Sequence, residues 1–143
     1  VYDEALVEPL ARVLANLGVK KAMVVYGQDG LDEISMSAPT TVCEVKDGEF
    51  LSYVITPEQF GFTRCSKDEL TGGSPQDNAQ IALAILKGEK GPRRDAVVLN
   101  SAAAIHIAKG ISIEDAIREA QEVIDSGKAL AQLEQFAALT NQE

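Results

Sequence analysis

The segment Tyr26-Gly27-Gln28-Asp29-Gly30-Leu31-Asp32-Glu33-Ile34-Ser35 narrows the possible folds more than any other part of the chain. It follows Ala22-Met23-Val24-Val25, a short apolar run that reads as a buried strand. Gly27 and Gly30 then let the main chain turn sharply. The turn carries two adjacent carboxylates, Asp32 and Glu33, to the end of that strand. In an α/β fold, ligands gather at that end. Two readings of the pair stand open. As first-turn acids of a helix, each would add roughly 0.3–1 kcal/mol through the helix dipole. As metal ligands, they suit Mg²⁺, which takes one or two protein carboxylates and completes its shell with water and substrate phosphates.

The flanking segments read as alternating helices and strands. Leu6, Leu10, Val13, Leu14 and Leu17 recur at helical spacing and predict an amphipathic helix over 3–17, with Asp3 as N-cap and Gly18 just past its end. A strand over 21–26 follows, the rhythm of an α/β layer. Two β-rich runs, 40–45 and 49–55, flank Lys46-Asp47-Gly48, and Asp-Gly is a strong hairpin signal. Three helix starts come next. Thr56-Pro57-Glu58-Gln59 should open a single turn, because Gly61 follows. Ser74-Pro75-Gln76-Asp77 should open a helix to about Lys87, apolar on most sides and so buried. Ser112-Ile113-Glu114-Asp115 should open one to about Asp125, which Ser126-Gly127 breaks before a last helix with Leu130, Leu133 and Phe136. Residues 95–109 read as one buried helix, and 61–75 as a loop containing Gly72-Gly73.

Composition removes several classes. With 143 residues, 45% apolar and 24% charged, the chain has the balance of one globular domain. No apolar run reaches the roughly 20 residues of a membrane span, and the first residues carry no signal-peptide pattern. A formal charge of -9 without a basic face argues against nucleic acid as a partner. Cys43 and Cys65 lack nearby partners for a zinc set and read as free thiols. His106, the one histidine, reads as a core or surface residue rather than a catalytic base, and Lys90, Arg93 and Arg94 as a solvated turn. Gly72-Gly73 reads either as a close approach to a ligand or as plain loop. The glycine turn matches neither a dinucleotide fingerprint nor a phosphate loop, and no nucleophilic catalytic set can be assembled.

Taken in order, several pieces resemble the anthranilate phosphoribosyltransferase family. They are Val1-Tyr2-Asp3 with Leu6-Val7 and Pro9-Leu10-Ala11, then Gly30-Leu31-Asp32-Glu33-Ile34-Ser35, then Thr56-Pro57-Glu58-Gln59-Phe60-Gly61. Leu70 with Gly72-Gly73 and Asn78-Ala79 follows, then Leu99-Asn100-Ser101-Ala102-Ala103, and finally Asp125-Ser126-Gly127-Lys128-Ala129-Leu130. The resemblance implies an α/β fold, a partial nucleoside phosphorylase/phosphoribosyltransferase class III C-terminal domain, with 1–143 as part of the larger α/β domain and the N-terminal helical domain absent. It implies a cytoplasmic enzyme of tryptophan biosynthesis that joins anthranilate to the ribose of 5-phosphoribosyl diphosphate and releases diphosphate. Carried over, the Asp-Glu pair makes Asp32 and Glu33 the ligands of Mg²⁺. The metal would neutralise charge growing on the departing diphosphate, with no covalent nucleophile.

The family's Gly-Thr-Gly-Gly-Asp loop, Lys-His-Gly segment and anthranilate-contacting arginine have no counterpart in these residues. Such groups position both substrates, so this piece is expected to be inactive alone. The resemblance implies that the dimer contact of the whole enzyme, a homodimer, uses the missing helical domain, so the piece is expected to be a monomer or a non-native association. A start at Val1 without methionine fits a piece of a longer protein, processing, or a chosen start. A related phosphoribosyltransferase or nucleoside phosphorylase and a non-catalytic binding domain of the same fold remain the alternatives.

Overall fold

The computed structural model describes residues 1–141. A single 3₁₀ turn, Glu4–Leu6, precedes helix α1 (Val7–Asn16). Strand β1 (Lys21–Gly27) pairs antiparallel with β2 (Thr40–Lys46), which pairs antiparallel with β3 (Glu49–Ile55). Two further 3₁₀ turns, Pro57–Phe60 and Lys67–Leu70, lead into α2 (Pro75–Leu86), α3 (Pro92–Lys109), α4 (Ile113–Asp125) and α5 (Lys128–Thr140). The architecture is α/β, with β2 in the centre of the three-stranded sheet.

Alternation along the strands builds two cores, one on each face of the sheet. Ala22, Val24, Cys43 and Val45 meet Val7 and Ala11 of α1 on one face. On the other, Val42 and Ile55 meet Val98, Leu99 and Ala102 of α3 and Ala116, Ile117, Ala120 and Ile124 of α4. Helices α3 and α4 form a corner bent by 117°. Local chemistry explains most element ends. Asp47 and Gly48 both take positive φ, +49° and +87°, the geometry of a type I′ turn. The hydroxyls of Ser74 and Ser112 accept from the main-chain N–H groups of Asp77 and Asp115, capping α2 and α4.

Several sequence expectations need correction. The helix expected over 3–17 is split, because Asp3 caps the 3₁₀ turn through Ala5 rather than α1 itself. Its expected apolar face is only partly covered: Leu14 packs against the core around Val7 and Ala11, while Leu10, Val13 and Leu17 are exposed. The face that meets the sheet carries Val7, Ala11 and Leu14, so only one edge of the leucine stripe is covered. Helix α2 is not buried either; only Ile85 is, since its apolar side lines an open cleft. Helix α3 begins at Pro92, ahead of the expected start, because Pro is well placed in a first helical turn. Arg94 is no solvated residue. It is 4% exposed, and its guanidinium donates at 2.8 Å to Asp125, which Lys90 also reaches at 3.0 Å.

Candidate functional site

The acidic pair sits in the loop from Gln28 to Pro39 that links β1 to β2, and no helix follows it. The helix-dipole reading of Asp32 and Glu33 therefore falls. The sheet is antiparallel throughout, so the strand-end rule of parallel α/β sheets does not locate a ligand here. What locates the pair is the way this loop is tied. The Gly27 N–H donates to Leu31 O at 2.8 Å, and the Gly30 N–H donates to Gly27 O at 2.8 Å, closing the turn. Gly30 takes φ +86°, a conformation that favours glycine.

Asp29 organises the rest. Its Oδ2 accepts the hydroxyl of Ser35 at 2.9 Å and also that of Ser37. Ser35 Oγ in turn accepts from the N–H groups of Ser37 and Ala38 at 2.9 and 3.1 Å. The Ser35 N–H donates to Thr40 Oγ1 at 3.0 Å, and Lys67 Nζ donates to Asp29 O at 2.9 Å. Burial by itself would raise the Asp29 carboxyl. Donation from Ser37, Ser35 and nearby main-chain N–H groups outweighs it and holds the group below the usual carboxylate range. On the far flank, Asn100 of α3 binds both the N–H and the C=O of Ile34 at 2.9 Å.

Between these ties Asp32 and Glu33 are exposed, and among the described residues neither side chain forms a hydrogen bond or an ion pair. They do not share one recess. Glu33 lines a cleft of about 510 Å³ with Met36, Leu70, Asn78, Ile81 and Arg93. Asp32 lines a recess beside α1 with Val1, Leu10 and Val13. Both residues lie in a bend of the loop, and their side chains leave it toward different recesses. No cluster of three or more acidic, histidine or cysteine side chains able to hold a metal occurs among the described residues. Two carboxylates are too few for an all-protein cage but suit an ion whose remaining ligands are water and substrate phosphate.

The other singled-out residues lie elsewhere. His106 Nδ1 meets Ile111 O, and Nε2 lies 3.4 Å from Glu44 Oε1, away from the pair. Gly72 and Gly73 approach the chain's own Asn78. A Cβ at Gly72 would lie 2.1 Å from Asn78 Oδ1, and that same oxygen accepts the Gly73 N–H at 2.8 Å. Cys43 and Cys65 are free thiols. Arg93 donates to Thr71 O at 2.7 Å from the edge of the larger cleft. Sequence reasoning missed Asp29, Ser35, Ser37 and Asn100 as organisers. The available signals were an amide in the apolar stretch of α3 and the presence of Ser35 and Asn100 in the segments that carry the family resemblance.

The sequence profile of the glycosyl transferase family, a/b domain, matches residues 1–130. The chain belongs to this family. Among glycosyl transferase relatives, the anthranilate phosphoribosyltransferase of Methanobrevibacter smithii is 61% identical over 142 residues, covering 99% of this chain and 42% of that relative. That of Lachnoclostridium phytofermentans is 55% identical over the same shares. The crystal structure of anthranilate phosphoribosyltransferase from Thermus thermophilus superposes with a TM-score of 0.88 at 37% identity, over 96% of this chain and 41% of that one. The Saccharomyces cerevisiae enzyme in complex with PRPP and Mg gives 0.87 at 28% identity, over 95% and 40%. This glycosyl transferase chain thus spans about 42% of the length of the relatives it matches. Among its described residues, no single helix is long and apolar enough to cross a membrane.

Proposed function

We propose that the chain is the C-terminal part of the α/β domain of an anthranilate phosphoribosyltransferase, and that Asp32 and Glu33 hold Mg²⁺ there. The observation that carries the proposal is the pair itself: two exposed carboxylates without side-chain partners among the described residues, on a loop tied at Asp29 and Ile34. Exposed acids without side-chain partners also occur at Asp68, Glu89 and Glu122 among the described residues; what sets this pair apart is that the two are adjacent on a loop pinned on both sides, at Asp29 and Ile34. Support also comes from relatives named for that activity, and from a yeast neighbour described as a complex with PRPP and Mg.

In this reading the whole enzyme transfers the phosphoribosyl group of 5-phosphoribosyl diphosphate to anthranilate and releases diphosphate. The metal would neutralise charge on the departing diphosphate. The chain's own part is to present Asp32 and Glu33 toward different recesses from one short segment, so that each can serve a different ion or ion position. Groups that grip both substrates would lie in the remainder of the enzyme, so the 143 residues alone are expected to be inactive. A cytoplasmic location, a monomeric fragment and a homodimeric whole enzyme belong to the same proposal.

The test is Asp32→Asn and Glu33→Gln in the full-length enzyme. Both should raise the Mg²⁺ concentration needed for half-maximal rate, by roughly ten- to a hundredfold, with little change in thermal stability. Normal turnover at limiting Mg²⁺ in both variants would overturn the ligand assignment.

A further inference from the structure

Asn100 lies 66 positions beyond Ile34, yet its amide makes a two-point clamp on that residue's main chain. Oδ1 accepts the Ile34 N–H, and Nδ2 donates to Ile34 O, each at 2.9 Å. The exchange copies a hydrogen-bonded residue pair of an antiparallel ladder. Nδ2 also donates to Ala96 O at 3.0 Å, one turn back on α3. Reversing the amide would set NH₂ against an N–H and oxygen against two carbonyls, so only one orientation satisfies all three contacts. The Ile34 side chain is 3% exposed and packs in the core with Val98 and Leu99 of the same helix. Main chain and side chain of Ile34 are thus both anchored to α3, one residue past Glu33.

That residue matters because Asp32 and Glu33 have no side-chain partners of their own among the described residues. Their positions are inherited from the main chain on either side. Asp29 ties the turn before them; Asn100 ties the residue after them to a helix buried against the sheet. Groups that orient ligands from behind contribute to metal affinity nearly as directly as the ligands do.

We propose that Asn100 is a positioning residue for the acidic pair: its amide clamp on Ile34 holds Asp32 and Glu33 where each presents its carboxylate to a divalent cation position. This rests on the reading of the pair as ion ligands. The test uses the full-length enzyme with Asn100→Asp, which keeps the acceptor and loses the donor, and Asn100→Ala, which loses both. The probe is Mn²⁺ with inorganic diphosphate, its binding followed by electron paramagnetic resonance. Both variants should weaken Mn²⁺ binding by roughly tenfold or more, and the Ile34 amide should exchange its hydrogen faster. The Mg²⁺ concentration for half-maximal rate should rise by the same factor, with kcat at saturating Mg²⁺ little changed.

Ile124→Ala, in the α4 core, should lower Tm without altering Mn²⁺ binding, which separates positioning from general support. Unchanged Mn²⁺ affinity in both Asn100 variants overturns the proposal, as does an equal loss in Ile124→Ala. Failure of both Asn100 variants to fold overturns it too, since Asn100 would then be a strut of the whole fold. Should Asp32→Asn and Glu33→Gln leave Mn²⁺ binding intact, the ligand reading itself fails. Should they weaken it while the Asn100 variants do not, only the role of Asn100 fails.

Discussion

Replacing Gly27 by alanine tests how tightly the loop that carries the acidic pair is packed. Gly27 needs no left-handed backbone; what it needs is room. A Cβ there would lie 2.9 Å from Asp29 Oδ1 and 3.1 Å from both Leu31 Cβ and Ser35 Cβ. Unstrained carbon contacts fall near 3.5–4.0 Å, so each neighbour would have to give by about half an ångström. Two of those neighbours are Cβ atoms, which move only with their main chain. Nor can Gly27 itself retreat. It is paired with Thr40 across the sheet, its N–H donates to Leu31 O at 2.8 Å, and its carbonyl accepts from the Gly30 N–H at 2.8 Å.

Overpacking of this kind costs about 1–3 kcal/mol, and with the hydroxyl contacts of Asp29 disturbed we expect about 2 kcal/mol. With a denaturant slope near 2 kcal/mol/M, the urea midpoint should fall by about 1 M. Gly30→Ala supplies the contrast. It has open space around it but φ +86°, so its cost should be backbone strain alone, about 1 kcal/mol. A Gly27→Ala midpoint within about 0.25 M of the parent, or a smaller loss than for Gly30→Ala, would refute the packing argument.

Acid should loosen the segment from Thr56 to α2 before the core yields. Hydrogen bonds from Arg64 hold Glu58 down to about 2, the Ser66 N–H and hydroxyl hold Glu69 below its usual range, and the Ser74 hydroxyl and N–H do the same for Asp77. Depressed carboxyls favour the folded state fully above their unfolded values near 4 and lose that contribution as pH falls further. Tm measured between pH 5 and pH 2 should therefore fall less in a Glu58→Gln, Glu69→Gln, Asp77→Asn triple variant than in the parent, and equal slopes would refute this. At the alkaline end, burial and then the bond to Glu44 push the Tyr53 phenol above its ordinary value. A raised group supports the fold below its unfolded value near 10 and loses that support as pH climbs past it. Tyr53→Phe should remove a component of the phenolate absorbance that appears only as the protein unfolds; an unchanged titration would contradict it.

Elements whose cause lies within a few residues were legible from the chain alone. Asp47-Gly48 specifies its turn by positive φ at both positions, and Ser74 and Ser112 cap helices through groups three residues ahead. The adjacent acids Asp32 and Glu33 were likewise readable as residue types on the turn after β1, and their assignment to Mg²⁺ is our proposal. What could not be read was anything settled between distant parts of the chain. Periodicity finds an apolar stripe on α1 but not which side meets the sheet; Val7, Ala11 and Leu14 meet it, and Leu10, Val13 and Leu17 do not. A cluster of basic residues looks solvated until Asp125, 31 positions away, is folded against Arg94. Asn100 is one polar residue in an apolar stretch until α3 crosses the loop and its amide finds the main chain of Ile34. Local hydrogen bonds and rotamer limits act over one turn or one strand pair, so sequence by itself determined the elements. Which face is covered, and which side chain completes a remote loop, depends on how those elements pack, and only the tertiary structure decided that.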